Sequence, residues 1–261
     1  MEKSQVYALV TGGSKGIGKA IALELASRGK SLLLVARNET ELKHAAQEIK
    51  EKHQVEVDFF AVDLSLENAT DEVFNWIKKK NYIIDTLVNN AGFGVWGRFV
   101  ELDLGEQTKM LAVNTFALVK LCHLFAPMLQ MHHAAYILNI SSTAAHQALP
   151  TLALYAASKS FVLSFSRAIN YELKDTSVSV TCVCPGPVET NFASRAGLAA
   201  LDKIAKKFNM QPNEVAVIAV KAMYGRKIEV IPGFINKIGA FASRVLSKKF
   251  LEKTAANIYK V

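Results

Sequence analysis

The chain is 261 residues long and 51% hydrophobic, enough to bury a sizeable core as one or two domains, and no repeat, linker or low-complexity block divides it. A formal net charge of +8 points to anionic partners, whether nucleic acid, an acidic membrane surface or phosphate-bearing small molecules. Cys122, Cys182 and Cys184 make no CxxC pair, the histidines have no paired ligand spacing, and neither a secretory leader nor a run of ~18 apolar residues is found, so a cytoplasmic, reduced, metal-free single domain is expected.

Residues 6–12, VYALVTG, read as a short apolar strand that runs into the glycine-rich turn TGGSKGIG. The following helix carries Ile17, Ile21 and Leu25 on one face and closes at Gly29. SLLLVAR comes next as a second strand. Continuous apolar runs of this kind belong to strands buried on both faces, the habit of parallel sheets covered by helices. The alternation continues with a helix over 39–52, strand VEVDFFAVD, a helix over 67–79, strand IDTLVNNAG and a long helix over 105–128. After it come strand AYILNISS, a helix bearing Tyr155 and Lys159, strand VSVTCVCPGP and a last strand, KIEVIPG. Repeated βα units joined by right-handed crossovers predict an α/β, doubly wound parallel sheet with helices on both faces. Ligands bind such sheets at the carboxyl ends of the strands.

Two features on that edge carry chemistry. Gly12, Gly16 and Gly18 lie between strand and helix, where glycine lets the backbone turn sharply against a pyrophosphate and the helix N-terminus offers unpaired N–H groups. Tyr155 and Lys159 stand one helical turn apart, which sets a phenol beside an ammonium. A cation near a phenol favours the phenolate, so such a tyrosine can exchange a proton near neutral pH. A ligand-free turn, and a packed tyrosine beside a solvated lysine, are the plain alternatives.

The Gly-x3-Gly-x-Gly spacing resembles that of the short-chain dehydrogenase/reductase family, whose fold is Rossmann-type, and the resemblance runs from Thr11 to about Pro232. Asn89-Asn90-Ala91-Gly92 is similar to the motif that shapes the adenosine side of the family's cofactor pocket, Asp63 to the acid that meets adenine, and Asn114 to the helix asparagine of a water-linked proton relay. Ser142 precedes Tyr155 by 13 residues, as the family's catalytic serine does, with Ser141 as its structural neighbour. Pro185-Gly186-Pro187-Val188-Glu189-Thr190 resembles the segment that holds the nicotinamide carboxamide. The resemblance implies that Asn114, Ser142, Tyr155 and Lys159 are catalytic. It also implies that Gly12, Ser14, Lys15, Gly16, Ile17, Gly18, Arg37, Asp63, Asn90, Ala91, Gly92, Pro185, Gly186, Val188 and Thr190, with Tyr155 and Lys159, bind the cofactor.

Charge bears on which cofactor. NAD-preferring proteins usually carry an acid just beyond the second strand, to bond the ribose hydroxyls. This chain has Arg37 there and Lys15 in the glycine loop, two cations suited to a 2′-phosphate, so NADP(H) is expected. The resemblance then implies reduction of a ketone or aldehyde to an alcohol. It implies further that Tyr155 is the general acid/base, that Ser142 holds the carbonyl oxygen, and that Lys159 lowers the phenol pKa and holds the nicotinamide ribose. A non-catalytic NADP(H)-binding sensor or scaffold is the alternative, and intact Ser142, Tyr155 and Lys159 argue against it. The dispersed basic residues do not suit nucleic acid.

Phe93, Trp96, Leu149 and Phe192, with Val95, Phe99 and Leu152, are candidates for an apolar substrate cleft under a lid that begins after Thr190; ordinary core or interface residues are the equal alternative. In the extension over 233–261, Phe234, Ile238, Phe241 and Val245 recur at helical spacing among Lys237, Arg244, Lys248 and Lys249, giving a basic amphipathic helix. Its stripe is expected to pack on the domain or on another subunit in preference to an anionic membrane surface. The family resemblance implies a homodimer or homotetramer paired through the helices around 109–128 and 155–173.

Overall fold

The computed structural model describes residues 5–190 and 209–259. Its strands are β1 (Val6–Thr11), β2 (Ser31–Ala36), β3 (Val57–Ala61), β4 (Ile83–Asn89), β5 (Ala135–Ile140), β6 (Val178–Val183) and β7 (Glu229–Val230). They form one parallel sheet in the order β3-β2-β1-β4-β5-β6-β7. The helices are α1 (Gly16–Ala26), α2 (Glu39–His53), α3 (Ala69–Lys79), α4 (Leu104–Leu111), α5 (Leu118–Leu129), α6 (Ala153–Glu172), α7 (Pro212–Tyr224), α8 (Phe234–Val245) and α9 (Lys248–Tyr259).

The apolar strands inside the sheet, β1, β2, β4, β5 and β6, are buried on both sides over most of their length, as their composition predicts, while the edge strands β3 and β7 are half-buried. Leu32 and Leu34 of β2 face a core layer shared with α1, α2 and α7, while Leu33 and Val35 face the layer under α3, α5 and α6. Local signals set the helix ends. Asn38 caps α2 by accepting from Glu41 N at 3.0 Å, with Glu39 and Glu41 in the first turn and Lys50 and Lys52 in the last, a charge order that suits the helix dipole. Gly29, at φ +80°, turns the chain out of α1 as Lys30 N bonds Leu25 O at 3.1 Å. Strand order reverses between β1 and β4, so the loops after these two strands flank a crevice at the carboxyl edge.

Several elements depart from expectation. The helix predicted over 105–128 is interrupted by a π-helical turn, Ala112–Ala117, between α4 and α5. The sequence reading found no membrane-length apolar segment, yet the continuous stretch Leu104–Leu129 is long and apolar enough to span by length and composition. Half of its 18-residue apolar window is buried, and Leu118, Leu121 and Phe125 fill the core beneath β4, so it serves as a core helix. Helix α7 was not foreseen. Its VAVIAV run is rich in β-branched residues and buried at Val215, Ala216, Ala219 and Val220, and the helical signal lies in Pro212 and in Glu214, which accepts from Gln211 N at 2.9 Å. The extension breaks at Leu246, whose backbone is extended, into α8 and α9.

Candidate active site

A cleft of about 2310 Å³ runs along the carboxyl edge from the start of α2 to α8 and α9. Single small-molecule pockets occupy roughly 300–1,000 Å³, so this one has room for a dinucleotide and a second ligand together.

One end is built from backbone. Gly12 and Gly16 have φ of +63° and +57°, a region that side chains disfavour. A Cβ on Gly18 would lie 2.2 Å from Gly12 O, so Gly18 lets α1 close against the loop from below and does not line the cleft. Asn90 Nδ2 donates to Thr11 O at 3.0 Å and Gly12 O at 3.2 Å, while Thr11 Oγ1 accepts from Asn90 N at 3.0 Å and Ala91 N at 3.1 Å. These bonds lace the loop after β1 to the loop after β4. Thr11 was not a sequence candidate, and its only signal was its place at the head of the glycine run. Asn89 points away from the cleft, donating to Asn139 Oδ1 at 2.9 Å beside Cys122, whose thiol burial pushes up to about 12.

Charges gather near Ser14, Lys15 and Ile17. Lys15 Nζ donates to Glu41 Oε1 at 3.0 Å and Ser14 Oγ to Oε2 at 3.2 Å, and the lysine's hydrogen bond holds the Glu41 carboxyl below its ordinary pKa. Arg37 stands 3.8 Å from Asp63. Glu41 is a residue the sequence reading missed, since only the register of α2 against the glycine loop brings it there. Both cations are about half exposed, and pairs of this kind contribute ~0–1 kcal/mol, so either is readily released to a phosphate.

At the other end Ser142 Oγ accepts from Ala144 N at 3.1 Å, opening the short 3₁₀ turn Thr143–His146. Ser141 Oγ donates to Lys159 O, and Ser160 Oγ to Ala145 O, each at 2.7 Å, so the Ser142 loop is fastened to α6. Lys159 is 5% exposed. Its Nζ donates to Ile140 O at 3.1 Å and lies 5.8 Å from the centroid of the Tyr155 ring. Burial pushes this ammonium down to about 8. Among the described residues it forms no ion pair with a carboxylate.

Asn114 sits in the π-helical turn, a kind of irregularity often found at functional sites. It accepts from Phe93 N at 3.1 Å and donates to Phe93 O at 3.0 Å and Ser158 Oγ at 3.1 Å; that hydroxyl donates to Tyr155 O at 2.7 Å. Asn114 is buried behind the cleft wall and braces the loop after β4 against the backbone of Tyr155. Ser158, the joint of this strut, was not foreseen.

Pro185, Gly186, Val188 and Thr190 line the cleft opposite the glycine loop, and Thr143 N bonds Pro185 O at 2.9 Å. A Cβ on Gly186 would lie 2.3 Å from Asn236 Oδ1, so glycine is what lets α8 approach. Phe93, Leu149 and Leu152 join Tyr155 in an apolar cluster that also lines the cleft. Trp96 packs against the cluster but is not a cleft residue, and Phe99 is exposed. Phe192 and most of the expected lid lie outside the described residues. Leu251 and Ala255 of α9, which no motif announced, complete the apolar end.

The spacing of histidines and cysteines gave no metal pattern, yet His146, Cys184 and Glu229, drawn from three segments, bring one ligand atom each within 4.8 Å. That carboxylate is already held by Arg167 at 2.8 Å, with Arg244 at 3.7 Å, and a cation there meets two others.

A glycine-rich turn at a helix N-terminus, joined by one cleft to Ser142, Tyr155 and Lys159, fits a nicotinamide dinucleotide. Residues 6–200 match the family described as short chain dehydrogenase. The very-long-chain 3-oxoacyl-CoA reductase of Rattus norvegicus is 34% identical over 236 residues, 89% of this chain and 75% of that one. A short-chain dehydrogenase from Sphingobium yanoikuyae, solved in complex with NADPH, has a TM-score of 0.81 at 28% identity over 93% of each chain. A short chain dehydrogenase/reductase from Burkholderia phymatum in complex with NAD, at 23% identity, covers 92% of each chain with a TM-score of 0.82, a likeness of fold. The site's residues, the sheet order and these relatives agree that the chain belongs to the short-chain dehydrogenase/reductase family of oxidoreductases.

Proposed function

We propose that the protein uses NADPH to reduce the carbonyl of an apolar ketone or aldehyde to an alcohol, with Tyr155 as general acid. The observation that carries this reading is Lys159, a buried ammonium one turn from Tyr155 at the end of the cleft shared by Ser142 and the Pro185 loop. A buried cation without a carboxylate is destabilising, and such groups concentrate where chemistry requires them. When bound, NADPH supplies a hydride.

The chain's own residues do the rest. Ser142 Oγ, oriented by accepting from Ala144 N, offers its proton to the carbonyl oxygen. Tyr155 gives a proton to the oxygen as it becomes an alkoxide, and Lys159 stabilises the phenolate left behind. Asn114 keeps the backbone of Tyr155 and the loop of Phe93 in fixed relation. Phe93, Leu149, Leu152 and Leu251 exclude water and favour an apolar substrate. The rat relative's name supports a long acyl chain bearing a ketone, and Arg37 with Lys15 supports NADPH over NADH. Exposed Phe116 in the π turn and Phe161 and Tyr171 on α6 support the pairing of subunits through these helices.

The test is loss of NADPH absorbance with long-chain 3-oxoacyl thioesters, ketosteroids, diketones and aldehydes. Tyr155→Phe should cut turnover by roughly 10²–10⁴-fold while still binding NADPH. Undiminished turnover in this variant overturns the assignment; NADPH binding without turnover on any compound favours the sensor reading.

A further inference from the structure

Helix α8 turns its small side toward the domain and its large apolar side away. Ala240 is buried, Asn236 Nδ2 donates to Pro232 O at 2.8 Å, and Asn236, Gly239, Ala240 and Ser243 line the cleft wall. On the opposite side Phe234 is 77% exposed, Ile238 53%, Phe241 66% and Val245 65%. Leu246 and Phe250 continue the exposed apolar surface into α9. Scattered apolar residues on a surface need no explanation, but a continuous stripe on one helix does. The stripe does not pack on the domain, which corrects the first of the packings expected from sequence.

What covers it is indicated by charge. Residues 234–257 carry Lys237, Arg244, Lys248, Lys249 and Lys253 against the single acid Glu252. Beside Phe241, a cavity of about 440 Å³ is lined by Arg167, Lys237 and Arg244 with one carboxylate, Glu229. A second copy is a poor occupant. A two-fold pairing sets the same patch against itself, so it would bring these basic flanks together in a chain of net charge +8. An anionic lipid surface satisfies both features, taking the phenylalanines at the acyl boundary and the lysines and arginines among the headgroups.

We propose that α8 docks the protein peripherally on an anionic membrane surface, with the helix lying in the interface. Because the far side of the same helix lines the cleft, docking sets the cleft one helix diameter, roughly 10 Å, from the lipid. The docking does not depend on the reaction proposed above, and its test needs no turnover.

The full chain is floated with vesicles of phosphatidylcholine alone and of phosphatidylcholine mixed with phosphatidylglycerol. Wild type should bind the mixed vesicles at least roughly tenfold more tightly than the neutral ones. Phe234→Glu with Ile238→Glu should weaken that binding by roughly tenfold or more, and Lys248→Glu with Lys249→Glu should remove the preference for anionic lipid. Both double variants alter exposed side chains and should keep wild-type melting and NADPH affinity. Failure of wild type to bind either vesicle overturns the proposal, as does binding that neither variant changes. Sedimentation velocity supplies a further refutation: a dimer that Phe234→Glu with Ile238→Glu dissociates, in a protein that ignores vesicles, makes this face a subunit interface.

Discussion

Replacing Lys159 with methionine should make the cofactor-free protein more stable while stopping the proposed chemistry. Burial shifts the ammonium from an ordinary 10.5 to about 8. The folded state therefore binds fewer protons than the unfolded one between these values, and stability rises as pH climbs through that window. At pH 7 the lysine's charge costs the fold about 3 kcal/mol, and at pH 10 only about 1. Methionine fills similar space without charge but removes the 3.1 Å hydrogen bond to Ile140 O, a loss of roughly 1 kcal/mol. Lys159→Met should thus gain about 2 kcal/mol at pH 7, worth roughly 5 °C in Tm, and nothing at pH 10. Urea unfolding of both proteins at the two pH values, without cofactor, isolates the effect, since other titrating groups are common to both. A variant less stable than wild type at pH 7, or a gap that does not narrow with pH, refutes the reasoning. If the result holds, the buried lysine is a stability sacrifice made for function.

Arg37→Asp should raise the Kd of NADPH by roughly tenfold or more and leave NADH little changed, by titration of cofactor fluorescence, because one cation at the proposed 2′-phosphate site becomes an anion. Glu41→Gln should act oppositely, lowering the NADPH Kd a few-fold by freeing Lys15 from its 3.0 Å pair; equal effects on both cofactors would place the phosphate elsewhere. Asn114→Ala removes three hydrogen bonds from the strut between Phe93 and Ser158, and should cost about 2–3 kcal/mol in urea unfolding and reduce kcat more than it raises KM. Gly186→Ala sets a methyl 2.3 Å from Asn236 Oδ1 and should destabilise the fold, with Asn236→Ala restoring part of the loss in a double-mutant cycle.

The sheet was legible because its strands are short apolar runs between helices with strong end signals, and because parallel βα units admit few topologies. What escaped notice has local physical causes. Helix α7 exposes one stripe, Asn213, Glu214, Val217 and Lys221, but an apolar Val217 on that stripe blurs the amphipathic period and the Val and Ile content imitates a strand. The π-helical turn at Asn114 leaves no periodic trace in AVNTF, since one extra residue shifts the face without changing the composition. In the site, the helical spacing of Tyr155 and Lys159 announced their proximity. It did not announce that the ammonium is itself destabilised by burial, because desolvation depends on everything packed around it. Lys15 and Arg37 were legible as cations near one end, whereas Glu41 and Asp63 as their partners follow only from how α2 and the loop after β3 sit against the glycine turn.

The extension shows the same limit in its sharpest form. An apolar period of 3.6 tells which residues share a face, and Phe234, Ile238, Phe241 and Val245 do share one. It does not tell which way the face looks. In α8 the rotation is fixed by Asn236, whose amide bonds Pro232 O at 2.8 Å and lies over Gly186, where the absence of a Cβ admits it. Ala240 then falls toward the domain one turn later, and the large apolar residues are carried outward. A small polar residue against a glycine loop has therefore overridden the usual preference of a stripe for the core, and it has done so beside the proposed nicotinamide site. The proposed docking and the proposed chemistry thereby share one helix, and a substitution at Asn236 that lets α8 roll should disturb both.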